Sequence, residues 1–187
     1  LSQQARFKVA QTSYFKGDFK WAKSQLKILK GSTTQLIAND AVDLFLVISD
    51  NEPKDSIPSG LLDFAKADLL AYQNKNTEAI AIYSTLAQKY QGQNIEDDVL
   101  FNQAALYFKE SQYENTISNL LKIISINADG ILVDDSYYLL AEVYKNKIKD
   151  TEKASEYYQK IIFEKPSSIY LVDARKKYRE IRGDIIN

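Results

Sequence analysis

At 187 residues, with 45% apolar and 26% charged side chains, the chain is long enough to bury one sizeable core and too apolar to be disordered. A net charge of −1 supplies no global field to draw it to nucleic acid or to a membrane surface. It has no cysteine and no histidine, which excludes disulfide scaffolds, thiol nucleophiles, Cys/His metal centres and a histidine-based catalytic triad. A cysteine-free chain suits the cytoplasm and an envelope space equally, and no apolar run has the length of a bilayer span.

Helical periodicity runs through the sequence. Leu1-Ser2-Gln3-Gln4 reads as the interior of a helix, so the chain is expected to be a piece of something longer, with any signal or anchor upstream. Segments 3–15 and 18–30 form a first antiparallel hairpin, and Gly31 follows its end. Residues 31–57 break the pattern. They hold an amphipathic helix (Leu36, Ile37, Ala41, Leu44, Phe45, Ile48) and a polar loop, Ser49 to Ser56, expected to be the most mobile internal segment. This insert is either one unpaired helix or a degenerate repeat that lost its second helix. Segments 58–73 and 76–90 make the next hairpin, with Pro58 suited to a first helical turn and Gly92 to the residues after a helix end.

Asn94 can cap the helix opening on Ile95-Glu96-Asp97, which carries Leu100, Ala104, Tyr107 and Phe108 on one stripe. The short link Lys109-Glu110-Ser111-Gln112 leads to Ile117, Leu120, Leu121 and Ile124 on its partner helix. Segments 131–145 and 150–164 repeat the arrangement, and Pro166 stops the chain there. A final helix, about 167–182, shows an outer face of Arg175, Lys176, Arg179 and Arg182 over an inner side of Leu171, Ala174, Tyr178 and Ile181.

One phrase recurs four times. A turn is followed by a small residue and, four positions later, by a large one: Ala22 and Leu26, Ala79 and Tyr83, Thr116 and Leu120, Ala154 and Tyr158. The steps between the small residues are 57, 37 and 38 positions. Such a period marks a solenoid, with units at about 3–30, 58–90, 95–126 and 131–164, the irregular insert 31–57 and the helix 167–182 as a polar-faced cap, all within one domain spanning 1–187.

These residues resemble the tetratricopeptide repeat (TPR) family. Leu140, Ala141 and Tyr144, then Ala154, Tyr158, Ile161 and Pro166, fit its pattern almost throughout. Tyr107, Tyr113, Thr116, Leu120 and Ile123 fit with substitutions, Ala67, Leu70, Ala79, Tyr83 and Leu86 more weakly, and Gly17, Phe19, Ala22, Leu26 and Leu29 stand for the first unit. The resemblance implies an all-α, right-handed α-solenoid of helix hairpins with one extra helix and a C-terminal capping helix. Asp97-Asp98-Val99-Leu100-Phe101 and Asp134 to Glu142 are similar to repeats of bacterial envelope TPR proteins of the barrel-assembly lipoprotein and cell-division coordinator type. The ending Ala174 to Asp184 is similar to that of large bacterial TPR proteins. The resemblance thus implies a C-terminal part of a bacterial scaffold that binds a protein or peptide, favours the envelope, and carries no shared enzymatic activity or cofactor. The oligomeric state is left open.

Nothing in the residues is spaced for catalysis: there is no Gly-rich phosphate loop, and the acidic runs Glu96-Asp97-Asp98 and Asp134-Asp135 sit where carboxylates favour the positive end of a helix rather than a metal. The basic face of the last helix reads as a solvated cap, with Lys176 and Glu180 four apart, more than as a nucleic-acid surface. Phe7, Phe64, Phe101 and Tyr138 recur at equivalent places in the four first helices. They form either inter-repeat core or an aromatic ladder along a concave groove, with charged neighbours Asp68, Asp98, Lys109, Asp135, Glu142 and Lys145. For a groove the candidate partner-binding set is Phe64, Tyr72, Phe101, Phe108 and Tyr138 with Asp98, Asp135 and Glu142, a mixed apolar and acidic surface suited to a helix or extended segment carrying basic residues. The alternative is a purely structural end of a repeat array.

Overall fold

Small residues at hairpin crossings let two helices approach closely, and the chain uses them in pairs. Ala22, Ala79, Thr116 and Ala154 on second helices are wholly buried, and so are Ala10, Ala67, Ala104 and Ala141 on the first helices opposite. A computed structural model describes residues 2–31, 35–52 and 60–184, Gln35 and Leu36 by backbone alone. Among them every regular element is helical: α1 (Gln3–Phe15), α2 (Phe19–Leu29), α3 (Gln35–Asp50), α4 (Leu61–Tyr72), α5 (Asn76–Lys89), α6 (Ile95–Lys109), α7 (Tyr113–Ile126), α8 (Val133–Val143), α9 (Thr151–Glu164) and α10 (Leu171–Arg182). None of the described helices is long and apolar enough to cross a membrane.

The chain forms two compact units, Leu1–Val99 and Leu100–Asn187, dividing within α6. Each is a stack of helix hairpins of the TPR-like α-solenoid type. In the first, α1 packs on α2 and α4 on α5, while α1 also lies beside α4. The insert helix α3 is not unsupported: it packs on α2 and touches α1. Lys30 Nζ sits 4.0 Å above the Phe45 ring, and Lys23 Nζ reaches Glu52 at 2.6 Å. In the second, Asn119 on α7 donates to Gln103 of α6 at 2.9 Å, α8 packs on α7 and α9, and α9 on α10.

The turn inside each hairpin is the same object. Gly17, Asn74, Ser111 and Lys149 occupy equivalent positions, all left-handed, with φ of 82°, 60°, 60° and 66°. The next residue's N–H returns to a carbonyl five positions back in three of them (Asp18 to Ser13, Lys75 to Leu70, Gln112 to Tyr107), closing the helix end. In the fourth it returns six back, from Asp150 to Tyr144. The additional residue is absorbed by a π-helical segment, Tyr144–Ile148, which continues α8. That is the physical form of the step of 38 that follows the step of 37. Gly17 has a second constraint: a Cβ there would lie 2.8 Å from Leu62 Cδ1.

Three local expectations are corrected. Ser2 is the cap of α1, its Oγ accepting from Ala5 N at 3.2 Å, so the chain does not open in mid-helix. Asn94 turns its amide outward from α6 to donate to the Asp50 carbonyl at 3.2 Å, tying the ends of α3 and α6. Ser49 and Asp50, expected in a loop, complete α3, and Asn51 beyond them is buried. The rest of that loop, 53–57, and the helix start expected at Pro58 lie outside the described residues.

Candidate functional site

In the first unit, the candidate aromatics part ways. Phe64 is 0% exposed and packs against Tyr83 with ring centroids 5.6 Å apart. It is core, because the α4 face that carries it is the one α5 covers, and it drops out of the binding set. Tyr72, two turns on, is 55% exposed. Its ring rests at 5.6 Å from Phe15, Lys8 Nζ stands 4.8 Å above its centroid, and the same ammonium donates to its hydroxyl at 3.1 Å. The ring is thus braced by Phe15 and Lys8 and keeps more than half of its surface open to solvent.

Asp68 lies at the centre of this unit. It accepts from Tyr14 Oη at 2.5 Å and from Tyr83 Oη, so one carboxylate joins α1, α4 and α5. Burial first, then the Asp68 charge, holds the Tyr14 hydroxyl well above its ordinary pKa. Asp98 accepts from Asn51 Nδ2 at 2.7 Å. Burial pushes its carboxyl up to about 7; the Asn51 hydrogen bond opposes this, and Asp97, Asp68 and Asp50 add to it.

In the second unit, Phe101 and Phe108 are partly exposed. Phe108 leans on Tyr113 at 6.0 Å and lies under Lys147 Nζ at 5.6 Å. The rest of the candidate set faces α10. Asp135 accepts from Tyr170 Oη at 2.8 Å; Tyr138 Oη donates to Asp173 at 2.6 Å; Glu142 accepts from Lys177 Nζ at 2.7 Å; Lys145 Nζ donates to Glu180 at 3.0 Å. Every partner lies 35 positions further along the chain, so the contacts form a ladder between two helices running side by side in register. Tyr138 and Tyr170 stack with centroids 4.2 Å apart and planes 14° from parallel. Glu142 accepts in addition from Tyr158 Oη on α9. Burial alone would lower the Lys177 pKa, but its bonds to Glu142, Tyr138 and Asp173 outweigh this and hold it raised. Burial would raise the Asp173 carboxyl, and Tyr138 and Lys177 bring it below its ordinary value.

The three candidate acidic groups each have a partner inside the unit that carries them. Asp98 is engaged by Asn51, Asp135 by Tyr170, and Glu142 by Lys177 and Tyr158. Of the candidate aromatics, Tyr72 is exposed and Phe101, Phe108 and Tyr138 are partly exposed.

The α8–α9 hairpin has the fullest set of repeat positions. Tyr137 and Tyr144 face α9, with Tyr157 at 6.2 and 5.7 Å, and Ala141 and Ala154 mark the buried crossing. Residues 135–163 match the tetratricopeptide repeat family model. The match runs from the first turn of α8 almost to the end of α9. With the all-helical architecture it supports a TPR protein, and TPR repeats generally mediate protein–protein interaction and are typically non-enzymatic scaffolds. A comparison with the curated proteins finds no match.

Residue-by-residue reading missed the roles of Asp68, Asn51 and the α10 partners. The signal for Asp68 was present: the second-helix position holds Tyr where the first helix offers a carboxylate. The signal for the ladder was the run Tyr170, Asp173, Lys177, Glu180, which repeats the spacing of Asp135, Tyr138, Glu142 and Lys145 with complementary partners.

Proposed function

We propose that the protein is an interaction scaffold that takes up a peptide or helix on the faces of its first helices. The observation that carries this is Tyr72, more than half exposed at a first-helix position and braced by Phe15 and Lys8. Phe101 and Phe108 supply corresponding partly open rings in the second unit. Because the acidic neighbours are engaged internally, affinity rests on aromatic contact rather than on steering of basic ligands. The similarity of Asp97–Phe101, Asp134–Glu142 and Ala174–Asp184 to bacterial envelope repeats extends the proposal to a part of a larger bacterial envelope scaffold.

The test is selection of binding peptides from a displayed random library, followed by titration against Tyr72→Ala and Phe108→Ala, with circular dichroism to check the fold. Selected peptides should lose at least about tenfold affinity with one or both variants. Peptides that bind both variants as tightly as wild type would leave the second reading, a structural end segment, which the burial of Phe64 and the internal use of Glu142 favour at those positions.

A further inference from the structure

Asn51 follows α3 and is 2% exposed, yet its amide is only half satisfied. Nδ2 donates to the Val47 carbonyl at 2.9 Å, one turn back, and to Asp98 Oδ2 at 2.7 Å across the contact with α6. Oδ1 is buried and accepts from no donor among the described residues. Leaving a buried amide oxygen without a donor is costly. The group opposite can supply one. A carboxylate only accepts, whereas a protonated carboxyl carries an O–H. An acid and a primary amide can pair through two hydrogen bonds, amide N–H to carboxyl oxygen and carboxyl O–H to amide oxygen. A proton on Asp98 is thus the donor that Asn51 Oδ1 lacks.

The charge around Asp98 favours the same form. Asp97 on its own helix, Asp50 on α3 and Asp68 on α4 all act on it as like charges. From α1 and α5 the nearby titratable groups are the Tyr14 and Tyr83 hydroxyls, both bound to Asp68, and neither is a cation. On α2, behind α3, the Lys23 ammonium is committed to Glu52 at 2.6 Å. Burial first, then these carboxylates, push the Asp98 carboxyl up to about 7, with only Asn51 opposing. When the proton leaves, a further negative charge joins Asp97, Asp50 and Asp68, and Asn51 Oδ1 is again without a donor.

Little else seats this end of α3 on α6. Ile48, wholly buried, anchors the helix just before it. Ser49 Oγ is buried and also unpartnered among the described residues, and the tie from the Asn94 amide to the Asp50 carbonyl, at 3.2 Å, is exposed. The seat therefore passes through the Asn51–Asp98 pair.

We propose that Asp98 and Asn51 form a proton-operated latch: the protonated pair docks the end of α3, Ser49 to Glu52, on α6, and loss of the proton lets that end open while the rest of the unit stays folded. The inference does not depend on the aromatic faces treated above.

The test is native-state amide hydrogen exchange of the full chain between about pH 5 and pH 8.5, expressed as protection so that the intrinsic pH dependence of exchange drops out. Protection of Ser49 to Glu52 should fall about tenfold or more from pH 5 to pH 7 and then level off. It should stay below that of Leu86 on α5 and Ile161 on α9, and about 1 M urea should leave it unchanged while lowering theirs, because a local opening exposes little surface. In Asp98→Asn the fall with pH should vanish, since the new amide supplies a donor to Asn51 Oδ1 at every pH. Protection that does not change with pH, a urea response at Ser49 to Glu52 equal to that of Leu86, or an undiminished fall in Asp98→Asn overturns the proposal. If that variant does not fold, carboxyl-carbon NMR of Asp98 in the wild-type chain decides: a midpoint well above the ordinary range, coinciding with the levelling of protection, supports the latch, and an ordinary carboxylate midpoint near about 4 overturns it.

Discussion

Asp98 should make the protein less stable as pH rises from about 4 to about 7, and Asp98→Asn should abolish that loss. The carboxyl sits among Asp97 of its own helix, Asp50 at the end of α3 and Asp68 of α4, with Asn51 as its hydrogen-bond donor. Its pKa rises from 3.8 to about 7 on folding, so between those limits the folded state holds a proton that the unfolded state has released. A raised folded pKa gives stability that is complete below the unfolded value and lost as pH climbs to the folded one. The gap of about three units corresponds to at most about 4 kcal/mol, and the part of the carboxyl that water reaches brings the expected loss to roughly 2–3 kcal/mol. Asparagine mimics the neutral acid and keeps an oxygen for Asn51 Nδ2. Urea unfolding of both proteins at about pH 4.5, 6, 7 and 8 gives the difference directly, and Asp43, whose pKa is also raised by burial first, cancels in it. The variant's stability relative to wild type should rise by about 2 kcal/mol between pH 4.5 and pH 8. A difference independent of pH, or a variant weaker at pH 8, would show that the carboxylate is stabilised where it lies.

Ala154→Leu should cost about 1–3 kcal/mol, because Ala154 is wholly buried opposite Ala141 at a close helix crossing with no room for added volume; an unchanged melting temperature would contradict that packing. Lys149→Gly should raise stability by up to about 1 kcal/mol, because Lys149 holds φ at 66° as the turn residue after the π-helical segment; chemical denaturation showing a loss would mean that the lysine side chain contributes more than the backbone strain.

What the sequence made legible is what depends on near neighbours. Helix boundaries came within a few residues because period, turn residues and small crossing residues are local properties; the step of 38 was on the page, but its cause, the π segment, appears only in the structure. Ser2 was misread because a cap is recognised by the helix it precedes, and the apolar stripe of α1 is weak. Phe64 and Tyr72 could not be told apart, since both are aromatics on one helix and only the placement of α1 and α5 decides which is covered. The candidate carboxylates were correctly placed on first-helix faces, but their partners Tyr170, Lys177 and Asn51 lie 35 or more positions away and become neighbours only on folding.

The internal keys explain why acidic residues stand in some repeats and not in others. Where the second helix carries Tyr83, the first helix carries Asp68 to receive its hydroxyl; where it carries Tyr158, Glu142 does the same. Where the equivalent second-helix residue is Leu26 or Leu120, both wholly buried, the first-helix position is Gln11 or Ala105. A buried tyrosine hydroxyl needs an acceptor, a buried leucine needs none, and a carboxylate brought in beside leucine would lose its water without return. The acids at these two sites therefore follow from the identity of the helix behind them and not from a ligand in front. Each then takes a second donor, Tyr14 for Asp68 and Lys177 for Glu142, and so fastens a neighbouring helix to the hairpin. A turn further along, Tyr72 and Phe108 stand with Lys8 and Lys147 over their rings.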